Sequence, residues 1–198
     1  MGEGVRMRII VGISGASGVQ LGIAVLRALH ARDDVETHLV MSDGAKAILP
    51  LECEETLVQV EALADVVHDN SNLAASISSG SFRTDGMIVA PCSMKSLSAI
   101  ANAFDDDLLV RAADVCCKEG RKVVLVPREM PLNQAHLRNL LRAAEDGYVI
   151  CPPMLTFYNG CETTAQQVDH VVGKVLMQFG IEYERFRPWE GPLCERRA

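Results

Sequence analysis

Aromatic side chains are scarce in this chain: 5% of 198 residues, with one tryptophan, three tyrosines and five phenylalanines. Each tyrosine and the tryptophan therefore asks for a reason. No run of lysines and arginines occurs, and the formal net charge is −7, which excludes nucleic acid as a main partner. Local cations and helix ends can still hold a small anion in an acidic protein. Seven cysteines form no CxxC pair, and the histidines show no HxxxH spacing, so the usual metal templates are missing. Cys116 and Cys117 are adjacent in a helical pattern and cannot pair with each other. No apolar run approaches the ~18 residues of a membrane span, and the opening MGEGVRMRII lacks the apolar core of a signal peptide. These absences read as a reduced, cytoplasmic protein without membrane or metal. Residues 1–6 are expected to be a disordered or tag-derived lead, with Met7 as the natural start.

Short β-branched runs alternate with amphipathic helical patterns along the chain. Arg8–Gly12, Glu36–Met41, Asp65–His68, Gly86–Pro91, Lys122–Pro127 and Tyr148–Cys151 read as strands. Val19–Ala31, Ala45–Leu49, Glu55–Leu63, Ser93–Ala101, Asp107–Glu119, Asn133–Asp146 and Thr164–Phe179 read as helices. The Ser-rich stretch at 69–86 is too apolar for a linker and reads as a long functional loop. The alternation predicts a single three-layer α/β/α domain with a mainly parallel sheet and helices on both faces. Ligands of such folds sit at the carboxyl ends of the strands. There the chain places Ser14–Gly18, Ser42, Pro91–Ser96, Pro127–Pro131 and Pro152–Tyr158.

Gly12-Ile-Ser-Gly-Ala-Ser-Gly18 follows the first strand. It has Ser14 where GxGxxG needs glycine at its third position, and it lacks the lysine of a P-loop and the GxSxG of a nucleophile elbow. Small residues ahead of a helix still let backbone amides reach an anion, and Ser14 and Ser17 add hydroxyls. Ser42, not an aspartate, ends the second strand, which favours a mononucleotide such as FMN over a dinucleotide. In APCSMKS, Lys95 is unfavourable in a first helical turn unless an anion lies near. Cys92 is the loop's one nucleophile, and no histidine base accompanies it in sequence.

GISGASG, APCSMKSLSAIA, DDLLVRAADVCCKEGRKVVLVPREMPLNQAHLRNLL and PPMLTFYN together resemble the UbiX-type flavin prenyltransferases, over nearly all of Met7–Trp189. The resemblance implies a flavodoxin-like fold over 7–184, a tail at 185–198 that acts between subunits, and assembly as a homododecamer. It implies FMN binding and transfer of a dimethylallyl group from dimethylallyl phosphate to N5 and C6 of reduced FMN. Prenylated FMN then serves a UbiD-type decarboxylase of aromatic acids. By the same resemblance Gly15, Ala16, Ser17, Ser42, Ser93, Met94, Lys95, Ser96 and Arg128 are expected at the flavin. Lys118, Arg128, Tyr158 and Lys174 are expected at the substrate phosphate, and Trp189 at the prenyl group. Ser17, Glu52, Lys118, Glu129, Tyr158 and Lys174 are the expected catalytic set, with Glu129 and Glu52 as proton carriers. The residue types suit cleavage of an allylic C–O bond, since the leaving phosphate needs cations and the allyl cation an apolar, π-rich wall. Three rivals stand beside this reading: an FMN carrier subunit without prenyl transfer; the FMN-dependent cysteine decarboxylases, whose central loop differs; and the aromatic acid decarboxylase itself, for which no substrate-carboxylate pocket is apparent. His136 and the Arg111–Asp114 pair are expected to be structural.

Overall fold

Strict alternation of side chains across each strand decides how this chain folds. The computed structural model describes residues 6–189 and 191. Its strands are β1 (Met7–Ile13), β2 (Val35–Met41), β3 (Val66–His68), β4 (Gly86–Cys92), β5 (Lys122–Pro127) and β6 (Val149–Ile150). Its helices are α1 (Val19–His30), α2 (Asp43–Glu52), α3 (Leu57–Glu61), α4 (Met94–Ala101), α5 (Leu108–Lys118), α6 (Gln134–Glu145) and α7 (Thr164–Met177). Ile9, Val11 and Ile13 of β1 bury with α1 and α7 on one face, while Ile10 buries with α5 on the other. Val124 and Val126 of β5 join the first face, and Val123 and Leu125 the second. Both faces are apolar because both are covered by helices, as a parallel sheet requires.

The sheet runs β3-β2-β1-β4-β5-β6 and every pairing is parallel. The three-residue β3 adds an edge to what is otherwise the flavodoxin-like strand order. The order reverses between β1 and β4, so their carboxyl ends open a crevice. A register shift between Val89 and Cys92 loosens the end of β4. There the Ser14 amide and hydroxyl both donate to the Pro91 carbonyl, at 3.2 and 2.9 Å.

Two boundaries differ from expectation with consequences. α2 begins at its Ser42 cap and continues past Pro50 to Glu52, a turn beyond the expected stop at Leu49. α3 shrinks to five residues behind a Thr56–Gln59 capping box. The loop at 69–86 holds a short 3-10 turn, Ser76–Ser78. Arg111 donates to the Ser78 carbonyl, and Arg121 donates to those of Gly80 and Phe82. His136 forms a capping box with Asn133, and Arg111 pairs with Asp114 at 3.1 Å, both structural roles. Of the expected lead and tail, residues 1–5, 190 and 192–198 lie outside the described residues.

Candidate active site

Four helices start at one edge of the sheet: α1, α2 and α4 each follow the carboxyl end of a parallel strand, and α5 begins there after the chain turns back from α4. Ser42 caps α2 by accepting from the Ala45 amide at 3.2 Å. Ser93 caps α4 through the Ser96 amide at 3.2 Å, and Asp107 caps α5 through the Val110 amide at 2.9 Å. The first turns of α1, α2 and α4 thus present positive dipole ends and spare amides to one crevice, while those of α5 are taken by Asn70 and Asp107. Its cavity, about 650 Å³, is lined by Gly15, Ala16, Ser17, Ser42, Asn70, Ser93, Met94, Lys95, Ser96, Arg128 and Glu129, among others. All nine residues expected at a flavin therefore meet in one place, together with Glu129.

The glycine-serine turn is shaped for close backbone contact. A Cβ on Gly15 would lie 2.8 Å from the Gly44 Cα, so two strand-end turns touch main chain to main chain. Gly18 takes the N-cap of α1 at φ 103, where glycine is at ease and no side chain can cap. Glu52 supplies the cap from behind, accepting from the Gly18 amide at 2.7 Å. Burial pushes the Glu52 carboxyl up, but the Ser17 hydroxyl, the Gly18 and Val19 amides and the Arg128 charge outweigh it and hold it below its ordinary range. Glu52 is thus an anionic brace on the turn and does not line the cavity. Ser14 turns inward: besides donating to Pro91 it accepts from the Ser93 amide at 2.7 Å, tying β1 to β4. It is fully buried and offers nothing to a ligand.

The second loop divides its labour similarly. The Ser93 hydroxyl donates to the Ser96 hydroxyl at 3.1 Å, fixing the first turn of α4. Lys95 finds its anion in Asp106 at 3.8 Å. Cys92 is fully buried, and burial pushes its thiol up to about 12, which removes it as a nucleophile. Arg128 and Glu129 are exposed, and neither is in an ion pair among the described residues. They stand on a boundary. Beyond them opens an apolar cavity of about 730 Å³, lined by Met130, Leu132, Pro152, Pro153, Met154 and Leu155 and sharing Met94, Arg128 and Glu129 with the crevice.

This arrangement can seat a phosphate-bearing planar ligand at the helix starts and an apolar group alongside. Comparison with known proteins agrees. The sequence matches the family described as Flavoprotein over residues 2–180. It is 59% identical over 185 residues to a probable UbiX-like flavin prenyltransferase of Sedimentibacter hydroxybenzoicus, covering 93% of this chain and 98% of that one. The chain belongs to the UbiX-like flavin prenyltransferase family. The fold is similar to a dodecameric FMN-dependent UbiX-like decarboxylase from Escherichia coli O157:H7, with TM-score 0.92, 54% identity and coverage of 93% and 100%. It is equally similar, with TM-score 0.92, 49% identity and coverage of 94% and 99%, to AnUbiX solved with FMN and dimethylallyl pyrophosphate.

For this family member, four expected site residues lie away from the crevice. Tyr158 meets Trp189 edge-on at 5.3 Å and the buried His170 of α7 at 6.2 Å. Lys174 follows one turn after His170 and acts on it and on Cys151 by charge. Tyr158, Lys174 and Trp189 form a second group that lines neither cavity. Lys118 does not join either group. It ends α5, about 15 Å down the helix axis from the crevice, and pairs with Glu119 at 2.7 Å. Within one chain Lys118 lies apart from the phosphate site expected for it, because α5 runs antiparallel to the strands.

Gly44 and Asn70 were missed. Nothing in sequence marks Gly44 as the partner of Gly15. Asn70 follows β3 and is buried; its main-chain oxygen accepts from the Leu108 amide at 2.8 Å and its Oδ1 from the Leu109 amide at 3.0 Å. The usable signal was the polar loop that it opens.

Proposed function

We propose that this protein is a flavin prenyltransferase. It moves a dimethylallyl group from dimethylallyl phosphate to N5 and C6 of reduced FMN and releases phosphate. The prenylated FMN serves a UbiD-type decarboxylase of aromatic acids. The observation that carries the reading is the placement of Arg128 and Glu129 between a polar crevice ringed by helix starts and an apolar cavity.

The crevice suits FMN. The Gly15–Gly44 contact leaves no side chain between the turn and a ligand, and the starts of α1, α2 and α4 attract an anion. Gly15, Ala16, Ser17, Ser42, Ser93, Met94, Lys95 and Ser96 would hold it. Reduced flavin supplies the nucleophilic ring atoms. Arg128 supplies charge and forked hydrogen bonds to the leaving phosphate as its C–O bond breaks. Glu129 carries a proton at the phosphate oxygen or the flavin carbon. The methionine, leucine and proline side chains of the apolar cavity keep water from the allyl group.

Tyr158, Lys174 and Trp189 complete the donor site in an assembled homo-oligomer, a dodecamer by similarity to the solved relative. The exposure of Met130, Met154 and Leu155 at the apolar cavity, and of Phe157, Tyr158 and Trp189 apart from it, supports burial against further copies. Reduced, cytoplasmic residence is supported by six described cysteines that are all free. Among the described residues no helix is long and apolar enough to cross a membrane.

Anaerobic incubation with reduced FMN and dimethylallyl phosphate tests the reading. A flavin heavier by one C5 unit, with an equivalent of phosphate, is the expected result. FMN bound without any product would leave the carrier role instead.

A further inference from the structure

Gly173 sits in the interior of α7, where alanine would be the better helix former. Phe186 gives the glycine its reason. A Cβ built on Gly173 would overlap Cβ, Cγ and Cδ2 of Phe186, so this side chain rests directly on the helix main chain. Its ring also meets His170, one turn earlier on α7, with centroids 5.3 Å apart. His170 is buried, and burial, then the Lys174 charge, lower its pKa, so it serves as a neutral ring. Tyr158 meets the same imidazole edge-on at 6.2 Å and Trp189 at 5.3 Å. Phe186 and Trp189 are three residues apart, so these contacts close a circuit through Phe186, His170, Tyr158 and Trp189.

Phe186 is the hold on this segment beyond its start. Ile181 is buried, and Tyr183 donates to Asp169 Oδ1 at 2.6 Å, which fastens the near end to α7. After Tyr183 the fastening thins. Among residues 184–189 only Phe186 is not exposed. Its amide donates to the Tyr183 carbonyl at 2.9 Å, a bond within the segment itself. Arg185 reaches Asp169 only at 3.9 Å, with its side chain largely exposed. Glu184, Arg185 and Arg187 line a polar cavity of about 260 Å³ together with Asn159, Cys161 and His170. The segment leaves a gap there and closes on α7 through Phe186.

A side chain at position 173 has to move main chain. The Phe186 Cβ is among the overlapped atoms, so no change of its rotamer relieves the clash. Tyr158 and Trp189 are both more than half exposed, so their mutual contact buries too little to fix either ring. We propose that Phe186 is a positioning residue: seated on Gly173, it holds Trp189 against Tyr158 and so sets the aromatic wall of the donor site. This rests on Tyr158 and Trp189 serving the allylic donor.

Trp189 is the one tryptophan, so its fluorescence reports this segment alone. The test compares wild type, Gly173→Ala, Phe186→Ala and the double variant as assembled full-length protein. Before flavin is added, Trp189 emission in each variant should shift to the red, and acrylamide should quench it more. At saturating reduced FMN, kcat/KM for dimethylallyl phosphate should fall about tenfold, while the FMN dissociation constant stays within about twofold. The double variant should be no worse than Phe186→Ala, because a segment no longer seated gives way to the added methyl group. Alanine favours the helix, so a folding defect in Phe186→Ala leaves Gly173→Ala to decide. Unchanged Trp189 emission in the single variants would overturn the proposal. So would a red shift with transfer at the wild-type rate, or FMN affinity lost in step with transfer. Dissociation of the assembly would also overturn it, by making the segment an assembly contact. Should wild type yield no prenylated flavin, the functional reading falls, and the emission still decides whether Phe186 places Trp189.

Discussion

The crevice and the cluster beside α7 hold two halves of one expected site, and they are built differently. The crevice is made of main chain: helix starts, a Gly15–Gly44 contact, and serines bonded to the backbone or to each other. The α7 cluster is made of side chains: Tyr158 and Trp189 are more than half exposed, at 59% and 58%. We read the first as a cofactor seat fixed by folding and the second as a donor site finished by assembly. The lesson is physical. Backbone donors placed by a parallel sheet need no partner, whereas exposed aromatic contact area does.

Predictions that break or sharpen this contrast run from large effects to small. Glu129→Gln should slow prenyl transfer about 10³-fold while leaving the FMN dissociation constant within about twofold, by single-turnover assay and flavin titration. Gly15→Ala should do the reverse. Its methyl group meets the Gly44 main chain, so FMN affinity should fall about 100-fold, roughly 2.7 kcal/mol, with most of the single-turnover rate kept at saturating flavin. Glu52→Ala should cost about 1 kcal/mol of stability as a lost helix cap, measured by urea unfolding at pH 7. The sign of its pH dependence follows from a folded pKa held below the unfolded one. The brace is present above the ordinary glutamate value of ~4.3 and lost as pH falls through the folded value, so wild type and variant should converge in acid. The smallest effect concerns Cys92. At pH 8 iodoacetamide should leave it unlabelled while the partly exposed Cys161 reacts, read by peptide mass.

Much of the crevice was legible in the sequence because strand ends and serine caps are local features. GISGASG and APCSMKS announced two turns, and the parallel alternation brought them together. Their internal wiring was not legible. Ser14 looked like a ligand donor and is spent on Pro91 and Ser93, because the end of β4 leaves a carbonyl and an amide to satisfy. Glu52, expected as a proton carrier, also braces Gly18, a bond the sequence did not show because it needs α2 to run past Pro50. Gly44 and Asn70 depend on contacts between turns far apart in sequence. Lys118 carried no signal of its distance, since helix direction is a property of the fold.

The division between the two regions is tested most directly by Tyr158→Phe in the assembled protein, with FMN affinity and single-turnover prenyl transfer measured on the same sample. The account predicts unchanged affinity and a transfer rate lowered at least tenfold. Affinity lost in step with rate, or a rate equal to wild type, would contradict it.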